Sequence, residues 1–73
     1  MGRATFPEQE ILARNVRGQR ERLGLSQSEL ARRAGINRGY LIMLEDAEAN
    51  PSLYKLSCLG TVLSVSVSTL LRE

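Results

Sequence analysis

Residues 26–45 read Ser26-Gln27-Ser28-Glu29-Leu30-Ala31-Arg32-Arg33-Ala34-Gly35-Ile36-Asn37-Arg38-Gly39-Tyr40-Leu41-Ile42-Met43-Leu44-Glu45, and the punctuation of this stretch decides the fold. Ser26 followed three residues later by Glu29 is a capping box, in which each side chain satisfies the other residue's backbone amide where a helix begins. Leu30, Ala31 and Ala34 give that helix one short apolar stripe. Gly35 stops it, because glycine enters the left-handed conformation without a Cβ penalty. Ile36 is an apolar plug in the turn, and Asn37 is a good cap for a second helix from Arg38. Two helices of about two turns each, joined by a glycine-containing bend, describe a helix-turn-helix.

The pattern continues on both sides. Gly24-Leu25-Ser26-Gln27 with Glu29-Leu30-Ala31, then Gly35-Ile36, Arg38, Tyr40, Leu44-Glu45 and finally Asn50-Pro51-Ser52-Leu53 resembles the phage repressor and Cro family of DNA-binding domains, often called Xre-like. The resemblance runs over residues 11–71 without a gap. It implies an all-α fold, a compact five-helix repressor-like domain over residues 1–73, with the helix-turn-helix at its second and third helices (26–45).

The chain's 73 residues leave room for one domain, which buries only about 60% of its unfolded surface and is modestly stable unless it dimerises. Ten basic against eight acidic residues give a net charge of +2, which permits a nucleic-acid partner without requiring one. The single Cys58 cannot form an internal disulfide, and no apolar run approaches the roughly 20 residues that span a membrane. Met1 to Phe6 lacks the apolar core of a signal peptide, so the expected compartment is the cytoplasm. There is no histidine, no glycine-rich phosphate loop and no nucleophile motif. An enzyme, a cofactor, a metal and a small-molecule ligand are therefore not expected. Glu45, Asp46 and Glu48 offer the carboxylate oxygens that hard cations take, but their expected state is a solvated loop plus one structural ion pair.

The remaining helices follow from similar signals. Thr5-Phe6-Pro7-Glu8 reads as a second capping box, with Pro7 early in the helix where its missing donor does little harm. The first helix is predicted from about Phe6 to Leu23, with Leu12, Val16, Gln19 and Leu23 at helical spacing and Gly24 as its stop. Gly18 in its interior costs roughly 1 kcal/mol against alanine, and Gln19 stands where the family usually has leucine. After the loop Asp46-Ala47-Glu48-Ala49-Asn50-Pro51, Ser52 caps a fourth helix carrying Leu53, Leu56, Leu59 and Leu63. Gly60, where the family prefers alanine, predicts close packing of two backbones. Leu63-Ser64-Val65-Ser66-Val67-Ser68 alternates strictly, as a strand does, yet an isolated strand has nothing to pair with. The family pattern instead places a turn at Ser64 and Val65, Ser66 as cap, and a fifth helix from Val67 to the end.

The resemblance also implies a site. An arginine on the first helix and the glutamate closing the third, here Arg20 and Glu45, meet behind the DNA-facing surface, where a guanidinium fork can lock the angle between the two helices. Ser26 and Gln27, with the amides at the positive end of the second helix, hold a phosphate, and Ser26 combines this with capping. Arg14, Arg17, Arg32 and Arg33 are either further phosphate contacts or solvated surface charges. The third helix enters the major groove with its N-terminal residues foremost. Arg38, Gly39 and Met43 fall on base-reading positions, with Asn37, Tyr40 and Ile42 beside them. Arg38 leads, since a guanidinium can bond both O6 and N7 of guanine. Gly39 only allows close approach. Tyr40 either donates its hydroxyl to a phosphate or packs against the second helix, and Leu41 and Leu44 belong to the core.

This chain departs from the family in two places. Ile42 and Met43 make Tyr40 to Leu44 apolar without a break, and a helix apolar all round is normally buried all round. The two side chains either touch thymine methyls or form a protein-binding face. Asp46, Ala47 and Glu48 replace the usual asparagine, glycine and basic residue, and their carboxylates repel a phosphate. Affinity per monomer is therefore expected to be weak, with the rest supplied by dimerisation or by arginines of the first helix. Val65, Val67, Leu70 and Leu71 carry more apolar surface than one small core covers, which points to a homodimer; the rival reading is that they only close the monomer core. Two-fold pairing sets the recognition helices about 34 Å apart and implies a palindromic operator in double-stranded DNA. Cys58 is expected half exposed and without function. The expected activity is that of a small transcriptional regulator, a repressor. The alternative is a protein-interaction module on the same fold, such as an antitoxin-type partner, with weakened DNA contact.

Overall fold

The computed structural model describes residues 6–73. In chain order these form α1 (Pro7–Arg22), α2 (Gln27–Ala34), α3 (Arg38–Glu45), α4 (Leu53–Leu63) and α5 (Val67–Leu70), with no strand among the described residues. Side chains set most of the starts. Ser26 Oγ accepts from the Glu29 amide at 3.0 Å while Glu29 Oε1 accepts from the Ser26 amide at 2.9 Å, completing the capping box. Asn37 Oδ1 accepts from the Gly39 amide at 2.7 Å, and the hydroxyls of Ser52 and Ser66 cap α4 and α5. The start of α1 differs from expectation. Thr5 lies outside the described residues, the cap position is Phe6, and Gln9 rather than Glu8 reaches back to accept from the Phe6 amide at 2.9 Å.

Four helices end in one way. A residue with positive φ follows each of α1 to α4, namely Gly24, Gly35, Ala47 and Ser64. The next amide then reaches the carbonyl five residues back: Leu25 to Arg20 at 3.1 Å, Ile36 to Ala31 at 3.0 Å, Glu48 to Met43 at 2.8 Å and Val65 to Gly60 at 3.0 Å. These bonds satisfy carbonyls that a helix terminus leaves orphaned. Gly24 and Gly35 adopt the bend freely, whereas Ala47 and Ser64 hold it against a Cβ penalty of about 1–2 kcal/mol. The bend at Ser64 brings the Val65 carbonyl oxygen to 2.7 Å from where a Cβ on Gly60 would stand, so these two backbones do pack closely. It also breaks the alternation of residues 63–68 before any strand forms. α5 is a single turn, shorter than expected, and closes at Leu71.

Leu12 and Val16 of α1, Leu30, Ala31 and Ala34 of α2, Leu41 and Leu44 of α3, Leu56, Leu59 and Leu63 of α4, and Leu70 of α5 share one core. A fully buried leucine contributes about 1.5–3 kcal/mol, and helices as short as α2 and α3 depend on that packing, being unstable alone. The α1 stripe ends earlier than its spacing suggests: Gln19 is half-buried and Leu23 is 41% exposed. Leu70, expected on a dimer face, is fully buried in the monomer core. Its backbone is fixed from α1, where Asn15 Nδ2 donates to the carbonyls of Leu70 and Arg72 at 2.9 and 2.7 Å.

Candidate nucleic-acid interface

α3 has eight residues, and its faces are unequal. Leu41, Leu44 and Glu45 are buried, Tyr40 and Ile42 are half-buried, and Asn37, Arg38, Gly39 and Met43 are exposed. Positions 38, 39, 42 and 43 share one face because neighbours on a helix surface are three or four residues apart. The apolar run from Tyr40 to Leu44 is therefore not buried on all sides: Met43, 41% exposed, stands on the same face as Arg38.

The opposite end of α3 is built around Glu45, whose side chain is wholly buried. Arg20 donates to it twice, from Nε to Oε2 at 2.8 Å and from Nη2 to Oε1 at 3.0 Å, while its Nη1 donates to the Leu25 carbonyl at 2.9 Å. One guanidinium thus joins α1, the turn before α2 and the last residue of α3. The hydrogen bond to Glu45 raises the basicity of Arg20 above its ordinary value, against the burial that lowers it. A buried pair of this kind contributes little net stability over an apolar substitute, but removal of one partner is costly, and its two-bond geometry fixes a helix angle. Gln27 Nε2 adds a third donor at 3.0 Å to Oε1. No buried side-chain nitrogen or oxygen among the described residues lacks a partner. With Glu45 so engaged, the trio Glu45, Asp46 and Glu48 does not converge on a cation.

The start of α2 lies beside this cluster through Gln27. Ser26 is exposed, and the amides of Gln27 and Ser28, in the first turn of α2, have no partner within the helix. The Ser26 amide, and after it the Ser26 hydroxyl, hold the Glu29 carboxyl below its ordinary pKa. Gln27 is less free than its sequence position suggests, since one amide hydrogen is committed to Glu45. Tyr40 packs against the core, and Lys55 of α4 lies 3.9 Å from the centroid of its ring, a cation–π contact. Burial raises the pKa of its hydroxyl. Arg14, Arg32 and Arg33 are exposed. Arg17 is exposed as well, but donates from Nη2 to the Glu45 carbonyl at 2.9 Å.

Three contacts at this site escape the sequence reading, those of Arg17, Gln27 and Lys55. The signal for Arg17 is its spacing: three residues before Arg20, it faces the same partner. For Lys55 the sequence holds no signal. Among the residues expected at a dimer face, Val65 and Val67 are half-buried against the core and Leu71 is 40% exposed. Larger exposures occur at Phe6, Leu53 and Tyr54, and Cys58 is half-buried.

A capped α2, a glycine bend, and an α3 bolted at one end and exposed at the other define a helix-turn-helix domain. Comparison with known sequences assigns it accordingly: the family HTH_3, helix-turn-helix, matches residues 16–70, and the chain belongs to that family. It is 39% identical over 64 residues to the HTH-type transcriptional regulator SinR of Bacillus subtilis, covering 86% of this chain and 58% of SinR. It therefore spans less than two thirds of that relative. It is 44% identical over 62 residues to the control protein C.SmaI of Serratia marcescens, covering 85% of this chain and 74% of that protein. The crystal structure of the restriction-modification controller protein C.AhdI from Aeromonas hydrophila superposes with a TM-score of 0.84 at 29% identity, over 89% of this chain and 98% of that one. SinR in complex with DNA superposes at 0.79 with 39% identity, over 84% and 98% of the two chains. No helix among the described residues is long and apolar enough to cross a membrane.

Proposed function

We propose that this chain is a transcriptional regulator, a repressor, that binds double-stranded DNA by inserting α3 into the major groove. The observation that carries the reading is the polarity of α3: Arg38 stands exposed at its leading end while Glu45 is clamped at the other. Residues 1–73 act as one helix-turn-helix domain in the cytoplasm. Arg38 reads guanine, Asn37, Gly39, Ile42 and Met43 line the base edges, and Ser26, the first amides of α2 and the second amide hydrogen of Gln27 hold a phosphate. Tyr40 supports this surface from behind, with its hydroxyl free for the backbone. The protein works as a homodimer on a palindromic operator, through Val65, Val67 and Leu71, with the buried Leu70 beneath them. The relatives named as a transcriptional regulator and a control protein support the reading, as does the relative solved with DNA.

A second reading draws on Met43 and the acidic loop: the same face serves as a protein-interaction surface and DNA contact is weak. A salt titration on duplex DNA separates the two. A dimer making six phosphate contacts loses affinity by about a thousandfold between 50 and 200 mM salt. Selection from a random duplex pool should return a guanine preference that Arg38→Ala abolishes, at a cost of about 1–3 kcal/mol. No retardation even at low salt would hand the site to a protein partner.

A further inference from the structure

Arg17 and Arg20 lie one turn apart on α1 and face the same end of α3, but they are held differently. Arg20 is 13% exposed and spends three donors in hydrogen bonds of 2.8–3.0 Å. Arg17 is 49% exposed, and its one hydrogen bond among the described residues is that to the Glu45 carbonyl. The carboxylates of Glu45 and Asp46 stand 3.7 and 3.8 Å from it, too far for hydrogen bonds. α3 has no basic residue in its last turn. Glu45 and Asp46 sit at the negative end of its dipole, where a cation is stabilising, and Arg17 supplies that cation from α1. Gln27 donates to Glu45 Oε1, the same oxygen that Arg17 Nε approaches. Arg17, Asp46 and Gln27, proposed above to hold a phosphate, therefore gather around the trailing end of α3. α3 is about 12 Å long and the major groove about 12 Å wide, so when the leading end meets base edges this trailing end comes to the rim of the groove, where the phosphates run.

We infer that Asp46 is a built-in competitor for DNA phosphate: its carboxylate occupies the place beside Arg17 that a phosphate oxygen takes on binding. The inference rests on the DNA-binding reading above. In the free protein the Arg17–Asp46 pair is long and half exposed, and pairs of that kind are weak. A phosphate that reaches the guanidinium forms shorter, charge-assisted hydrogen bonds and displaces Asp46. Breaking the Arg17–Asp46 pair is the cost of that contact, so one residue of the loop sets how strongly α1 grips the backbone.

The test uses a mixed-sequence duplex, because phosphate contacts do not depend on sequence. Wild type, Asp46→Asn, Arg17→Gln and the double variant are titrated onto it at several salt concentrations. Asp46→Asn should bind about three- to tenfold more tightly at low salt, with a slope of log affinity against log salt steeper by about 0.9. Both gains should vanish in the double variant. A gain that persists without Arg17, or an Asp46→Asn protein that binds no better than wild type, overturns the inference and leaves DNA binding standing. Absence of retardation for all four proteins overturns both. Asp46 is exposed, and glutamine at 17 keeps a donor near the Glu45 carbonyl, so each variant is expected to fold.

Discussion

The two ends of α3 are held by opposite means. At the leading end the only side-chain hydrogen bonds to the helix among the described residues come from Asn37, the residue next to it, which caps Gly39 and Tyr40. At the trailing end, Glu45 and its carbonyl receive Arg20 and Arg17 from α1 and Gln27 from α2. The helix is fixed by its tail and presented by its tip. Such an arrangement places side chains accurately while leaving them bare, as the proposed base-reading role requires, and it concentrates the energetic risk at the opposite end.

Arg20→Ala should break this contrast most severely. It strips a buried carboxylate of its two-bond partner at a cost of about 3 kcal/mol. At 4–8 °C per kcal/mol for a domain of this size, the melting temperature should fall by at least about 12 °C. Arg20→Lys should recover only part of this, since an ammonium cannot form the fork; an unchanged melting curve would remove the clamp from the account. Asn37→Ala acts on the other end and should cost about 1 kcal/mol. Hydrogen exchange should quicken at the amides of Gly39 and Tyr40 but not at Asp46. Equal quickening at both ends would mean that α3 opens as a unit and that the contrast is false. The smallest effect should come from Ala47→Gly, just beyond the clamp. Relief of a left-handed alanine, partly offset by the freer unfolded chain, should raise stability by about 0.5–1 kcal/mol. A drop on chemical denaturation would show that the bend at Ala47 is unstrained.

The helix-turn-helix is legible in the sequence because its boundaries are written in residues with one-sided preferences. Ser26 with Glu29, Gly35 and Asn37 each allow few alternatives, and the structure uses each as read. The Arg20–Glu45 contact is reached differently, through resemblance to a family, since two residues 25 positions apart carry no local signal. What stays hidden is decided by tertiary contacts. Gln9 prevails over Glu8 at the start of α1, where its Nε2 also donates to the Ala49 carbonyl at 3.1 Å, 40 residues away. The turn at Ser64 is expected from the family pattern, and Gly60 hints at crowding there, but the positive φ of Ala47 and Ser64 carries no signal because neither residue type favours it. Leu70 is miscounted as surface because an excess of apolar residues does not say which one turns inward. On α3 the exposed set Arg38, Gly39 and Met43 follows from helical spacing once Leu41 and Leu44 are assigned to the core.

Lys55 is the only lysine in the sequence, and its ammonium sits over the face of Tyr40. Nuclei above an aromatic face feel the ring current and resonate upfield of their solvent positions. Reductive methylation with labelled formaldehyde would therefore give this side chain a displaced NMR signal whose position reports how Tyr40 is seated. Loss of that displacement on adding a duplex would reveal a ring that swings away during docking; its persistence would reveal a rigid platform.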